Sequence, residues 1–226
     1  MTKIKICGLR TLEQALAAAE AGADFLGIVF EPNSSIYVPV EMANHLVSNF
    51  SDIWSKNTPK WVGVFANQSL SDVNRTLLQC GLDLAQLSGN ESKDFCRDVE
   101  RPVIRVTHVP PDTHSDLVLH EIKSSLHEDN ESGYISMLDT YKRGIGGGTG
   151  QIFNWELAEK IAEKSNFFLA GGLTPGNVSQ AIQRVKPWGV DVSSGIETDG
   201  EKDIRKIYEF IEYVRLADSE IYGENK

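Results

Sequence analysis

Two side chains with acid–base chemistry stand at the ends of short apolar segments. Cys7 closes residues 3–6, where lysine and isoleucine alternate with the period of two that predicts a β-strand, and Gly8 then allows a turn. Asp139 closes a second apolar segment, which begins at Tyr134. A lone cysteine usually packs as a small hydrophobic group, and a lone aspartate at a strand end usually caps a helix or binds a loop. The pair acts instead as a base and an acid if the fold brings both groups to one site.

Two glycine-rich segments near the C-terminus have the composition of a phosphate site. They are residues 169–175, LAGGLTP, and residues 190–197, VDVSSGIE. Glycines let backbone N–H groups approach an anion, and serine hydroxyls add further donors. Either segment alone could be a tight turn, but two of them after successive apolar strands favour phosphate. The candidate phosphate-binding residues are Gly171, Gly172, Ser193, Ser194 and Gly195.

A third glycine cluster occupies residues 144–150. It lacks the Gly-Lys-Ser/Thr ending of a nucleotide-binding P-loop, and it does not run directly from a strand into a helix as a dinucleotide-binding loop does. We expect a mobile loop that closes over a ligand, with Gly148 and Gly150 as further donors to the phosphate.

Eight short apolar segments alternate with helical patterns along the whole chain. Alternating strands and helices predict a parallel sheet with helical crossovers, and eight strands close naturally into a barrel. We therefore predict an α/β fold, a single (β/α)8 TIM-barrel domain over residues 1–226, with an open doubly wound sheet as the alternative. Cys7 and Asp139, which end the first and sixth strands, are then expected to face each other across the mouth. The predicted strands are Ile4–Cys7, Phe25–Phe30, Trp61–Phe65, Leu84–Leu87, Val103–Val106, Tyr134–Leu138, Phe167–Ala170 and Trp188–Val192.

Capping residues mark several of the helices. Thr11 precedes a helix predicted over Leu12–Ala21, and Pro175 is expected at the start of the seventh helix. The closing helix is predicted over Ile204–Leu216, and the polar residues from about 218 to 226 are expected to fray.

Composition limits the partners and the compartment. The 226-residue chain has a formal net charge of −10, which argues against nucleic acid and anionic membranes as partners. It shows no apolar run near the roughly 18 residues of a membrane helix and no signal-peptide pattern at its start. Cys7, Cys80 and Cys96 are too widely spaced for a disulfide framework or a zinc site. We expect a cytoplasmic protein with reduced thiols and no bound metal.

The motifs together resemble those of the phosphoribosylanthranilate isomerase family, over about residues 3–207. The matching early segments are residues 5–8 (KICG), 63–65 (GVF), 86–87 (QL) and 138–140 (LDT). The matching later segments are residues 147–150 (GGTG), 153–155 (FNW), 170–173 (AGGL) and 191–197 (DVSSGIE).

This resemblance implies a cofactor-free Amadori rearrangement of N-(5-phosphoribosyl)anthranilate to 1-(2-carboxyphenylamino)-1-deoxyribulose 5-phosphate in tryptophan biosynthesis. It implies that Cys7 is the general base and Asp139 the general acid. A thiol of ordinary pKa, about 8.5, then needs only modest lowering, and desolvation is expected to raise the pKa of Asp139. The substrate is a phosphorylated small molecule, and both a monomer and a homodimer are compatible with the sequence. The implied substrate-binding residues are Gly8, Ile36, Gln86, Ser88, Arg105 and Asp191.

Three positions depart from the family pattern. Ile36 stands where the family usually has an arginine that is thought to hold the anthranilate carboxylate, and losing such a contact costs about 1.5–3 kcal/mol. Arg10 or Arg143 could supply the missing charge. Ser88 replaces a common histidine, and Arg105 replaces a frequent lysine.

The change at Ile36 leaves two other functions open. One is an isomerase for another aminated phosphoribosyl compound, and the other is an inactive barrel that binds a phosphorylated ligand. The histidines show no metal-ligand spacing and are expected on the surface or on helix faces: His45, His108, His114, His120 and His127.

Overall fold

The computed structural model describes residues 1–109, 116–140, 155–162 and 166–223. Eight parallel strands form a closed barrel in the order β1 to β8, and β1 pairs with β8 to complete the ring. The fold is therefore the predicted (β/α)8 TIM barrel, and the open sheet is excluded. The strands are β1 Lys3–Cys7, β2 Phe25–Val29, β3 Lys60–Phe65, β4 Leu84–Leu87, β5 Val103–Val109, β6 Ile135–Thr140, β7 Phe167–Leu169 and β8 Gly189–Val192.

Eight helices in the described ranges pack around the barrel. In α1 the predicted cap is present, since Thr11 Oγ1 accepts a hydrogen bond from Gln14 N at 3.2 Å. None of the helices in these ranges is both long and apolar enough to cross a membrane. The helices are α1 Leu12–Ala21, α2 Val40–Ile53, α3 Leu70–Gln79, α4 Lys93–Asp98, α5 Asp116–Glu131, α6 Trp155–Ala162, α7 Val178–Val185 and α8 Ile204–Tyr222. A short hairpin, β9 Glu197–Thr198 and β10 Glu201–Lys202, lies between β8 and α8.

Helix α7 begins at Val178, three residues later than the sequence predicts from Pro175. The Asn177 side chain holds the preceding residues in a turn instead. Its Oδ1 accepts from Thr174 N at 2.8 Å, and its Nδ2 donates to Gly172 O at 2.9 Å. The turn therefore orders the glycine-rich segment that follows β7.

Helix α8 continues to Tyr222, beyond the predicted end at Leu216. Asp218, expected in a frayed tail, is buried and accepts hydrogen bonds from Thr2 N at 2.8 Å and from Thr2 Oγ1 at 2.6 Å. These bonds hold the last helix against the residue that precedes β1. Helix α8 and the start of β1 thus meet at the amino-terminal face of the barrel.

The barrel interior changes from apolar to polar along its axis. A cluster of apolar side chains from six strands, β2 to β7, fills the interior below the mouth. On β1, Ile4 and Ile6 pack outward against the helices, so the alternation of the strand directs Lys5 and Cys7 inward. On β1, the polar groups Lys5 and Cys7 therefore lie on the inner face of the barrel, towards the rim. The apolar cluster consists of Phe25, Val62, Leu84, Ile104, Val106, Met137, Phe168 and Ala170.

Candidate active site

Cys7 and Asp139 lie at the carboxyl ends of β1 and β6, on the same rim of the barrel. In the ring, β7 and β8 separate β6 from β1. The sequence leads us to expect that the two strands face each other. They do not do so directly, because β5 is the strand opposite β1 in a ring of eight. The loops that follow β7 and β8 lie between the thiol and the carboxyl group instead.

Cys7 lies beside a buried lysine. The Lys5 side chain has no exposed surface, and its Nζ donates to Asp191 Oδ1 at 2.7 Å. Lys5 Nζ and Cys7 Sγ both pack against Gly27, at 3.2 and 2.9 Å from the point where a Gly27 Cβ would lie. The thiol, the ammonium group and the Asp191 carboxylate therefore form one connected polar cluster at the end of β1 and β8.

The charges in this cluster act on the thiol in opposite directions. Burial raises the pKa of Cys7 above its usual value, and the ammonium groups of Lys5 and Lys202 lower it in part. Burial also disfavours the charged form of Lys5, but Asp191 and Cys7 more than offset this effect and raise the pKa of Lys5. Lys5 is thus a permanent cation at neutral pH. The sequence leads us to expect that the pKa of Cys7 needs only modest lowering. Burial raises this pKa, so the lowering that the base requires is larger than expected.

The two glycine-rich segments meet at the rim. Gly171 and Gly172 have φ angles of 88° and 67°, which side chains rarely allow. Gly195 packs closely on the other segment, since a Cβ there would lie 1.8 Å from Leu173 O. The cavity that they form also includes Asp139, so the candidate acid and five candidate phosphate-binding residues share one space. Its lining is Asp139, Ala170, Gly171, Gly172, Leu173, Asp191, Val192, Ser193, Ser194 and Gly195.

Several predicted residues lie outside the described ranges. These are Gly148 and Gly150, the rest of the glycine cluster at 144–150, Arg143 and His114.

The wall of the mouth beside the thiol is apolar. Ile36 packs with Cys7, Val29 and Val64. Its Cδ1 lies 2.7 Å from the point where a Gly8 Cβ would lie, so Gly8 and Ile36 are neighbours at the mouth. The side chain of an arginine at position 36 would therefore extend from this apolar wall, beside the candidate base Cys7.

β4 and β5 contribute polar groups to the same rim. Gln86 Nε2 donates to Ser88 Oγ at 3.1 Å, and Gln86 Oε1 is buried with no hydrogen-bond partner among the described residues. The Ser88 carbonyl accepts from His108 Nε2 at 2.8 Å, because a carbonyl oxygen can only accept. His108 is thus a half-buried residue of the mouth and not one of the surface or helix-face histidines that the sequence suggests.

Arg105 points away from the barrel interior. Its neighbours Ile104 and Val106 face the barrel interior, so Arg105 faces the helices. Its Nη1 donates to Asp129 Oδ1 at 2.9 Å and to Ser125 Oγ at 3.2 Å, both on α5. Arg105 thus binds a buried carboxylate behind the barrel wall, and its contact with the substrate stays a prediction.

Arg10, one candidate for the missing charge at position 36, is bound to the hairpin that precedes α8. Its guanidinium pairs with Glu201 and donates to Gly200 O at 3.2 Å.

A lysine that the sequence motifs do not single out lies at the mouth. Lys202 Nζ donates to Ser193 O at 3.1 Å and to Ser193 Oγ at 3.3 Å, and it pairs with Glu197. The dipeptide Asp199-Gly200 is a sequence signal for a two-residue hairpin, and the pairing of β9 with β10 sets Lys202 opposite Glu197. That signal predicts the pairing of Lys202 with Glu197, but it does not predict the contact of Lys202 with Ser193.

Fold and site together define a class of protein. A closed (β/α)8 barrel with a concave site at the carboxyl ends of its strands, built in part by the loops after β7 and β8, is the arrangement of barrel enzymes that bind phosphorylated ligands. Comparison with known proteins narrows this class. Residues 4–213 match the family described as N-(5'phosphoribosyl)anthranilate (PRA) isomerase. The chain belongs to this isomerase family.

Named relatives match almost the full chain. An N-(5'-phosphoribosyl)anthranilate isomerase of Dehalococcoides mccartyi is 44% identical over 218 residues, which cover 96% of this chain and 98% of the relative. The protein of the same name from Geobacter metallireducens is 41% identical over 212 residues, covering 93% and 98%.

Solved structures agree with this assignment. The crystal structure of phosphoribosyl anthranilate isomerase from Thermotoga maritima has a TM-score of 0.80 and 32% identity, covering 95% of this chain and 99% of that one. A structure described as a complex with reduced 1-(o-carboxyphenylamino)-1-deoxyribulose 5-phosphate has a TM-score of 0.76 and 32% identity, with the same coverage.

Proposed function

We propose that the chain catalyses the Amadori rearrangement of N-(5-phosphoribosyl)anthranilate to 1-(2-carboxyphenylamino)-1-deoxyribulose 5-phosphate, a step of tryptophan biosynthesis. One observation carries the proposal: Asp139 shares a cavity with the two glycine-rich loops, and Asp191 joins that cavity to Lys5 and Cys7. Membership of the isomerase family supports the same reaction, as does the related structure described with the reduced form of this product.

The phosphate group is the proposed anchor of the substrate. Gly171, Gly172, Ser193, Ser194 and Gly195 line the cavity, and the proposed donors are the backbone N–H groups of the glycines and the hydroxyls of the serines. An anchored phosphate leaves the ribose carbons near the end of β6 on one side and the end of β1 on the other. Binding energy from a part of the substrate that does not react is then used to orient the part that does.

Asp139 is the proposed general acid because it lines the cavity at the end of β6. Its proton goes to the ribose ring oxygen, and the bond from that oxygen to C1 breaks to give an iminium cation. The cation withdraws electrons from C2 and makes the hydrogen on C2 acidic.

Cys7 is the proposed general base. Its thiolate takes the proton from C2, and the resulting enolamine converts to the ketone. Lys5 stabilises the thiolate as a neighbouring cation, and Asp191 holds Lys5 in place at 2.7 Å. The iminium adds a second positive charge at the moment when the base acts, so both charges oppose the effect of burial on the thiol.

The proposed reaction needs no cofactor or metal, since the iminium itself accepts the electrons. Every residue used comes from one chain, so a monomer is sufficient for the site. A homodimer would hold two such sites, and one related Thermotoga maritima protein, 29% identical with a TM-score of 0.78, is described as dimeric. We further propose that the protein acts in the cytoplasm, because the base must remain a free thiol and Cys7 has no disulfide partner.

Competition by the product analogue tests the site directly. We expect reduced 1-(o-carboxyphenylamino)-1-deoxyribulose 5-phosphate to inhibit substrate consumption competitively, with inorganic phosphate as a weaker inhibitor of the same kind. Binding of phosphate without any turnover would favour the inactive barrel instead.

We expect the Cys7 thiol of the ligand-free protein to titrate above its usual value, because burial raises its pKa and outweighs the opposing effect of the two lysines. The measurement is the ultraviolet absorbance of the thiolate against pH, taken as the difference between wild type and Cys7→Ala so that Cys80 and Cys96 cancel. A midpoint above that of an ordinary thiol agrees with the effect of burial on Cys7. A midpoint at or below that of an ordinary thiol contradicts it.

The substitution Ile36→Arg tests how the anthranilate carboxylate is bound. We expect KM to fall by about 10- to 100-fold with little change in kcat, because a charge-assisted contact is restored on an apolar wall. Ile36→Met is the matched control, since it lengthens the side chain without adding charge. An unchanged KM in the arginine variant would show that another cation already holds the carboxylate, or that the substrate is a different aminated phosphoribosyl compound.

A further inference from the structure

The segment between β8 and α8 carries a buried ammonium group that contacts both halves of the proposed site. The Lys202 side chain is 1% exposed, and its Nζ donates to the carbonyl and the hydroxyl of Ser193 in the phosphate loop. Nζ also lies 3.3 Å from the point where a Gly8 Cβ would lie, and Ser193 Oγ lies 3.1 Å from that point. Gly8 directly follows Cys7. One cation therefore contacts the loop that carries the base and the loop that receives the phosphate.

We propose that Lys202 is a positioning residue that couples the two loops: its ammonium group fixes Ser193 for phosphate binding and maintains a positive charge beside Cys7. The proposal rests on the phosphate site described under the proposed function.

The bonding of Lys202 shows why it acts through its neighbours. Its ammonium group has three N–H donors, and these match three acceptors: Ser193 O, Ser193 Oγ and the Glu197 carboxylate. A cation held in this way does not turn to a ligand without breaking its own bonds. Its charge still reaches the base, because Lys202 opposes the effect of burial on the pKa of Cys7.

The hairpin gives Lys202 its fixed position. Asp199 and Gly200 form the two-residue turn, both with positive φ angles, and β10 returns Lys202 opposite Glu197. The next residue, Asp203, caps α8 through Arg205 N at 3.0 Å and accepts from Thr198 Oγ1 at 2.8 Å. The lysine is thus anchored on a short rigid element between the barrel and its last helix.

The test replaces Lys202 and measures two quantities that do not depend on turnover. Lys202→Met keeps the length of the side chain but leaves the Glu197 carboxylate without its cation. The double variant Lys202→Met with Glu197→Gln removes both charges, so no carboxylate is left without its cation and the fold is less disturbed. The two quantities are the affinity for inorganic phosphate by titration calorimetry and the midpoint of the Cys7 thiolate absorbance.

We expect the double variant to bind phosphate about tenfold more weakly and to titrate Cys7 at higher pH than wild type. Lys206→Met is the matched control, because Lys206 Nζ also binds this segment, at Glu197 O (2.6 Å), without a contact to Ser193. The control should keep both values.

Two results would overturn the proposal. If the double variant binds phosphate as wild type does, Lys202 does not position Ser193. If phosphate affinity falls but the Cys7 midpoint stays in place, the coupling to the base is refuted. Failure of the proposed phosphate site would appear separately, as absence of phosphate binding in the wild-type protein.

Discussion

Replacing Cys7 with alanine lowers kcat by about 10²- to 10⁴-fold. The proposed base removes the proton from C2, so its loss slows the step that follows ring opening. The loops after β7 and β8 form a cavity that Cys7 does not line, so KM and the affinity for inorganic phosphate should stay close to those of wild type. Steady-state kinetics together with phosphate titration measure both effects.

Cys96→Ala is the matched control for this prediction. Cys96 is a buried free thiol on α4, outside the mouth, so its loss creates a similar cavity without removing a base. We expect this variant to keep its kcat. If Cys7→Ala also keeps its kcat, then Cys7 only packs the wall of the mouth.

Replacing Lys5 with methionine destabilises the fold by about 3–5 kcal/mol. The substitution removes the ammonium group that binds Asp191 at 2.7 Å and leaves a nearly buried carboxylate without its cation. The free energy of unfolding, measured with a chemical denaturant at neutral pH, gives the effect.

Two further variants separate the ion pair from simple packing. The double variant Lys5→Met with Asp191→Asn removes both charges and should recover most of the lost stability. Lys3→Met is the matched control, because Lys3 binds Asp24 at the same distance of 2.7 Å but is 45% exposed. We expect it to cost less than about 1 kcal/mol. Equal losses in Lys3→Met and Lys5→Met would contradict the argument from burial.

The barrel could be predicted because its signals are local. Each strand is a short apolar run and each helix is bounded by capping or turn residues, so the order of the elements follows from neighbours in sequence. Closure was predicted from the count of eight strands and not from local signals, because the pairing of Ile4 on β1 with Val190 on β8 joins residues far apart in the chain. The later start of α7 could not be predicted from the sequence either, since it depends on the hydrogen bonds of the Asn177 side chain.

The site could be predicted only in part. Cys7, Asp139 and the two glycine-rich loops stand at strand ends, where the barrel fold itself places functional groups. Arg105 could not be placed, because β5 carries apolar residues on both faces and its alternation does not show which side is inside. The pair of Lys5 with Asp191 and the approach of Lys202 to Gly8 depend on the pairing of β1 with β8, which no single segment of the sequence contains.

Turnover of N-(5-phosphoribosyl)anthranilate by the wild-type protein tests the central claim most directly. The measurement follows the loss of substrate fluorescence after addition of the protein, with Cys7→Ala and Asp139→Asn beside it. We predict rapid consumption by wild type and a rate at least about 10²-fold lower for each variant. No consumption by a wild-type protein that still binds inorganic phosphate would contradict the account and favour a barrel that binds a phosphorylated ligand without acting on this substrate.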